Sequence, residues 1–216
     1  MIRLQNLKKQ FGERVLFEHV DLTVEDGEFL VITGESGCGK STLLNMIGGL
    51  EPATEGSIFV DSYEVTKKGA GVAYYRRIVG FLFQNFALVE NKTVRQNLEL
   101  IPKSARSGSS IAEVLEQVDL AGTENEKVYR LSGGEQQRLA LARLMYKRCS
   151  LILADEPTAS LDAENARRVM ELLRKLNETG KTVLVVTHNP EYQTLSSRRL
   201  KLFPEKSPCN QACPMV

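Results

Sequence analysis

The run Gly34-Glu35-Ser36-Gly37-Cys38-Gly39-Lys40-Ser41, followed by Thr42, fits the pattern G-x-x-x-x-G-K-[ST]. Its residue types are those needed to hold a chain of phosphates. Glycines let the backbone wrap closely around an anion, because only glycine tolerates the angles required. The loop amides and the tip of the helix that follows present partial positive charge. Lys40 adds a full charge near the β- and γ-phosphates, and Ser41 offers a hydroxyl to Mg²⁺. The predicted nucleotide-binding stretch is therefore Gly34 to Thr42. Glu35 and Cys38 occupy its variable positions and are assigned no chemistry of their own.

A second stretch, Leu151-Ile152-Leu153-Ala154-Asp155-Glu156, supplies two acids at the end of an apolar run. A buried strand would deliver Asp155 to its carboxyl end, where ligands bind in open α/β sheets. Asp155 is expected to hold Mg²⁺ through water, and Glu156 to polarise an attacking water. Adjacent acids at a strand end are common, and their weight comes from following a phosphate loop in the chain. A third stretch, Leu131-Ser132-Gly133-Gly134-Glu135-Gln136-Gln137-Arg138, reads as a helix start. Ser132 caps, Glu135 completes a capping box, and Gly133 and Gly134 leave amides open. That makes a second anion site, which suggests that two copies share each nucleotide.

Elements that could position these residues follow from periodicity. Ile2 and Leu4 alternate with polar residues, and Val15–Val24 is β-rich. Buried strands are expected at Glu28–Thr33, Gly56–Asp61, Ile78–Phe83, Leu151–Asp155 and Thr182–Thr187, the last of them the final clear core strand. Helices are expected at Ser41–Leu50, Thr93–Leu100, Ile111–Val118, Gly134–Arg148 and Ala163–Glu178, the last stopped by Gly180. The alternation implies an α/β fold with a mostly parallel core sheet, an antiparallel N-terminal β subdomain on its edge, and a helical subdomain inserted over residues 85–130. Residues 204–216, with Pro204, Pro208 and Pro214, are read as a disordered tail.

A chain of 216 residues, 42% hydrophobic, is long enough for one such domain. Its net charge of +1 gives no field favouring nucleic acid, and Arg76-Arg77 and Arg167-Arg168 read as solvated helix faces. No apolar run approaches the ~20 residues of a membrane span. The first residues show no apolar segment of a signal peptide, so a cytoplasmic location is expected. Cys38 and Cys149 stand alone, and Cys209 and Cys213, without a histidine nearby, fall short of a zinc site. His19 is read as structural.

With Leu131–Glu135 reading LSGGE, a variant of the signature LSGGQ, the chain resembles the ATP-binding cassette (ABC) family over about residues 1 to 203. The resemblance implies that residues 1–203 form one ATP-binding domain, and it implies further roles. Phe11 matches the aromatic that stacks on adenine, where the family more often has tyrosine. Gln84 matches the glutamine that touches Mg²⁺ and senses the transmembrane partner. Ser160-Leu161-Asp162 matches the loop that crosses to the other subunit, and His188 the switch histidine at the γ-phosphate. It also implies a head-to-tail dimer with two ATP molecules, each between the phosphate loop of one copy and Ser132–Gly134 of the other. In that scheme Glu156 activates water, His188 steadies the γ-phosphate and Lys40 offsets developing charge.

The expected function is an ATP-hydrolysing subunit, peripheral on the cytoplasmic face of the membrane, that powers a separate transmembrane permease. Gln84–Val94 looks like the exporters of bacteriocins and related antimicrobial peptides, near the lipoprotein-release and macrolide-export branch, although it lacks a proline near Val89. Phe86-Ala87-Leu88-Val89 is either part of the groove for the permease or core. Three alternatives remain open: an ATPase regulating a membrane complex in cell division or peptide resistance, a soluble relative acting on nucleic acid or ribosomes, and a non-catalytic nucleotide-binding regulator.

Overall fold

The computed structural model describes residues 1–66, 70–159, 161–189, 192, 198–202 and 213–215. The chain opens with a long hairpin, β1 (Ile2–Phe11) and β2 (Arg14–Val24), closed by a turn at Gly12-Glu13. Then come β3 (Phe29–Gly34), α1 (Lys40–Ile47), β4 (Glu55–Val60), β5 (Tyr63–Glu64), α2 (Gly71–Arg77) and β6 (Val79–Leu82). Two short helices, α3 (Val94–Glu99) and α4 (Ile111–Gln117), precede α5 (Gly133–Tyr146), β7 (Leu151–Asp155), α6 (Ala163–Glu178) and β8 (Thr182–Val186). Two strands follow, β9 (Arg198–Leu202) and β10 (Cys213–Met215).

An antiparallel sheet of order β2-β1-β4-β5 lies beside a six-stranded sheet of order β10-β9-β3-β8-β7-β6. In the second sheet β9, β3, β8, β7 and β6 are parallel, and β10 alone runs antiparallel. Both faces of this sheet are covered. Phe29, Val31, Ile152, Ala154, Val183 and Val185 point into one core with α5 and α6. Leu30, Ile32, Leu151, Leu153, Leu184 and Val186 point into the other with α1 and the antiparallel sheet. Burial on both sides explains why these strands read as continuous apolar runs.

Between β6 and β7 the described segments are helical, and α3, α4 and α5 pack in the same core as one sheet face. Two elements escape the sequence pattern. α2 contains Tyr74-Tyr75-Arg76-Arg77 and no apolar stripe; the hydroxyls of Tyr74 and Tyr75 donate to Ile47 O (2.7 Å) and Gly49 O (2.6 Å), closing the end of α1. β9 lies beyond the last expected strand. Leu200 and Leu202 are its only apolar residues and both are buried, so its apolar signal is two residues long. Of the segment 204–216, Cys213–Met215 pairs with β9 and the rest lies outside the described residues. No helix among the described residues is long and apolar enough to cross a membrane.

Candidate functional site

Parallel pairing brings the carboxyl ends of β3, β8, β7 and β6 to one edge, in that order. Gly34 ends β3, Asp155 ends β7, His188 follows β8 and Gln84 follows β6. Residues far apart in the chain thus meet at a single rim, the usual ligand position in an open α/β sheet. A cleft of about 530 Å³ opens there, lined by Ser36 to Thr42 (Cys38 excepted), Gln84, Glu156, His188 and Phe11.

The phosphate loop is folded by close contacts. Gly34 lies against β9, where a side chain would put its Cβ 2.5 Å from Leu202 O. Gly39, at φ +96°, is the N-cap of α1, and a Cβ there would meet the Phe17 ring at 3.0 Å. Cys38 turns inward and is 2% exposed, beneath the loop. Gly34, Glu35 and Cys38 do not line the cleft. Lys40 is 8% exposed, and its ammonium donates to Gly34 O (2.9 Å) and Glu35 O (2.8 Å). α1 has no side-chain cap; its first internal bond runs from Leu43 N to Gly39 O (2.8 Å). The amides of Lys40, Ser41 and Thr42 are left as an anion site.

Ser41 Oγ donates to Asp155 Oδ1 at 2.8 Å. Burial pushes the Asp155 carboxyl up from its ordinary range; the Ser41 bond opposes this, Glu156 adds to it and Lys40 opposes it. A desolvated carboxylate beside a hydroxyl, with the Gln84 amide in the same cleft, is an all-oxygen donor set suited to Mg²⁺. No group of three or more His, Cys, Asp or Glu side chains suited to a metal occurs among the described residues.

Glu156 takes the left-handed region at φ +44°, uncommon for a residue with a side chain. This aims its carboxylate at His188, whose Nδ1 is 2.9 Å from Oε2 and whose backbone N–H donates to the same oxygen at 3.4 Å. The glutamate side chain is 15% exposed and the histidine 69%. The pair thus stands at the cleft wall with the carboxylate inside and the ring at the mouth.

The loop after Gln84 is held from behind. Phe86 and Ala87 are both left-handed, at φ +60° and +49°, and Arg143 of α5 donates to their carbonyls at 2.9 Å and 2.5 Å. Phe86 and Leu88 pack on the core, whereas Ala87 and Val89 are exposed.

The tip of α5 is elsewhere. Ser132 Oγ accepts from Glu135 N at 3.3 Å, and Glu135 Oε2 accepts from Ser132 N at 2.8 Å, so the capping box is closed. Ser132 and Gly133 are exposed, and none of Ser132, Gly133 or Gly134 lines the cleft. The glycines differ: a Cβ on Gly133 would meet nothing, whereas one on Gly134 would lie 2.8 Å from the Asn165 side chain of α6. Asp162 caps α6 and accepts from Asn165 N at 2.9 Å. Ser160 lies outside the described residues.

Sequence reasoning missed Arg14, Leu16 and Ala159, which also line the cleft. Arg14 pairs across the hairpin with Phe11 and donates to Gly37 O at 3.1 Å. The two-residue turn between an aromatic and a cation was the available signal.

Comparison with known proteins agrees with this geometry. The ABC transporter family model matches residues 17–159. The macrolide export ATP-binding/permease protein MacB of Campylobacter jejuni is 37% identical over 94% of this chain, which spans only 33% of that protein's length. The cell division ATP-binding protein FtsE of Mycobacterium tuberculosis is 40% identical, with 88% of this chain and 86% of FtsE aligned. Among solved structures, the cassette MJ0796 as a dimer in a post-hydrolysis state with ADP and Pi gives a TM-score of 0.83 at 37% identity, covering 95% of this chain and 97% of that one. A phosphate loop, a strand-borne acid pair and a capped glycine turn, on a fold shared with such a cassette, make this chain a P-loop ATPase of the ABC transporter family.

Proposed function

We propose that the chain works as a head-to-tail pair in which each ATP is held by residues 34–42 of one copy and covered by Ser132–Gly134 of the other. One observation carries this reading: the glycine tip of α5 is exposed and lies outside the cleft of its own chain. A second copy related by a two-fold axis can bring that tip over the cleft. The neighbouring cassette's dimer supports the arrangement.

Within the pair, the Lys40 ammonium leaves the loop carbonyls for the phosphates, and the free amides of α1 hold the anion. Mg²⁺, when bound, supplies charge neutralisation; Ser41, Asp155 and Gln84 would hold it. Glu156 orients and deprotonates water, with His188 Nδ1 beside its carboxylate, while His188 steadies the γ-phosphate and Lys40 offsets the developing charge. Phe11, exposed in the cleft lining, stacks on the adenine. Catalysis is positioning plus electrostatics, and loss of the γ-phosphate removes the bridge between the copies.

The ATPase drives a separate permease from the cytoplasmic face of the membrane, and no nucleic acid is involved. An apolar groove of about 470 Å³, lined by Tyr75, Phe81, Phe83, Ala87 and Leu100, opens beside the Gln84 loop and supports a docking segment there. Export of a bacteriocin or a similar peptide or lipophilic cargo is the reading favoured by the sequence around Gln84. Control of a cell-division complex is the second reading, favoured by the near full-length similarity to FtsE.

The test is Glu156→Gln. It should keep ATP affinity within about twofold, slow hydrolysis at least ~100-fold, and accumulate an ATP-dependent dimer in light scattering. Retained hydrolysis would remove Glu156 from its role. Co-purification with a multi-span membrane protein that moves peptide in vesicles would select export. Co-purification with a membrane protein that moves nothing would select the regulatory reading.

A further inference from the structure

Lys9 is 5% exposed, although it stands only two residues from Phe11, which is 49% exposed. The strand explains the pair. Leu7, Lys9 and Phe11 alternate onto one side of β1, and register shifts against β2 flank Lys9 on both sides. A buried ammonium requires partners. It donates to Glu51 Oε1 at 2.5 Å and Pro52 O at 2.8 Å, and it stands over the Phe11 ring, 4.4 Å from the centroid.

Phe11 lines the nucleotide cleft and Lys9 does not. The cation occupies one face of the ring from outside the cleft lining, which leaves the other face for a base. Glu51 and Pro52 follow α1, the helix that begins at the phosphate loop. The anchor thus ties the aromatic ring to the element that sets Lys40 and Ser41.

We propose that Lys9 is a positioning residue for the purine base: it fixes the plane of Phe11 from behind, at a set distance from the phosphate loop. Phenylalanine has no hydroxyl by which a polar neighbour could hold it. A cation over one face supplies the missing tether, and by drawing π-density toward itself it favours an electron-rich purine on the other face. The inference rests on reading Phe11 as the base platform.

Calorimetric titration of the full chain with Mg-ATP and, separately, with inorganic tripolyphosphate tests it. Lys9→Met should weaken ATP roughly three- to tenfold and leave tripolyphosphate unchanged, since only the base is mispositioned. Lys9→Arg should bind ATP as wild type does. In a Phe11→Ala background, Lys9→Met should add no further loss. Should Lys9→Met fold poorly, Glu51→Gln keeps the cation and loosens its anchor, with a smaller loss confined to ATP. Equal loss for tripolyphosphate, an undiminished loss in the Phe11→Ala background, or no loss at all would each overturn the assignment. If Phe11→Ala weakens ATP while Lys9→Met and Glu51→Gln are silent, only the role of Lys9 falls. If Phe11→Ala itself binds ATP normally, the platform reading falls, and the role of Lys9 with it.

Discussion

The phosphate loop and the tip of α5 are both glycine-bearing turns that open a helix, yet they are finished in opposite ways. α1 begins at a left-handed glycine with no side-chain cap. α5 is capped by Ser132 and Glu135 acting on each other. Two hydrogen bonds hold the Glu135 carboxyl below its usual range: the Ser132 hydroxyl first, then the Ser132 amide. A formal negative charge therefore stays beside the tip. What remains open are the amides of Gly133 and Gly134, which precede the first internal bond from Gln136 N to Ser132 O (2.9 Å). On the proposed reading, the first turn traps the anion itself, and the second, with its capping box closed and only the Gly133 and Gly134 amides open, completes one already bound. The asymmetry fits a cycle in which nucleotide binds to one copy before the second copy closes.

The largest effect should come from breaking the first turn. Lys40→Ala removes the one full positive charge on the loop, and an anion site left with amides alone should bind Mg-ATP at least about 100-fold more weakly, or ~3 kcal/mol. Turnover should disappear with it. Calorimetry with Mg-ATP reads the first and phosphate release the second. Normal rates would contradict the phosphate-loop assignment.

The second turn should fail differently. Gly133→Ala puts a methyl into open space in the monomer, so its thermal midpoint should stay within about 1 °C of wild type. Gly134→Ala forces the Asn165 side chain aside and should lower the midpoint by roughly 2–6 °C, the equivalent of about 1–2 kcal/mol in a domain of this size. Both should bind ATP within about twofold of wild type and lose at least ~10-fold in hydrolysis, because closure and not loading is impaired. Full activity in both, alone and with the proposed permease, would end the shared-site reading.

The sequence is legible at these turns because their chemistry is local. A capping box is written in four adjacent residues, and the loop's glycines answer steric demands within a few ångström. The strands that carry Asp155 and His188 are equally legible, because burial on both faces leaves runs such as Leu151–Ala154 and Val183–Val186. Non-local features are not. Arg143 reaches 57 positions back to the carbonyl of Phe86, and Tyr74 reaches 27 positions back to close α1. Neither contact leaves a pattern along the chain. Lys9 reads as one more polar residue of an alternating strand until the bulges that turn it inward are seen. Phe86–Val89 resists a single reading along the chain because its residues alternate, Phe86 and Leu88 packed on the core and Ala87 and Val89 exposed.

Asp155 provides the smallest and sharpest test, since it asks what the first turn gives up to be ready for a cation. Burial raises its carboxyl above the unfolded value of 3.8, with Glu156 adding to the rise against Ser41 and Lys40. The folded state then holds the proton more tightly than the unfolded state does, and stability falls as pH rises between the two values. At pH 7.5, without nucleotide or Mg²⁺, the ionised group opposes folding. Asp155→Asn removes that opposition and keeps an oxygen for Ser41, so the midpoint should rise by roughly 2 °C. The advantage should shrink as pH falls through the raised carboxyl range, where the wild type also becomes neutral. Adding Mg-ATP should reverse the order, because a ligand stabilises only the form that binds it. A midpoint that falls on substitution would mean that Ser41 and Lys40 already outweigh burial, and that the acid is a structural ion partner and not a carboxylate held in wait for Mg²⁺.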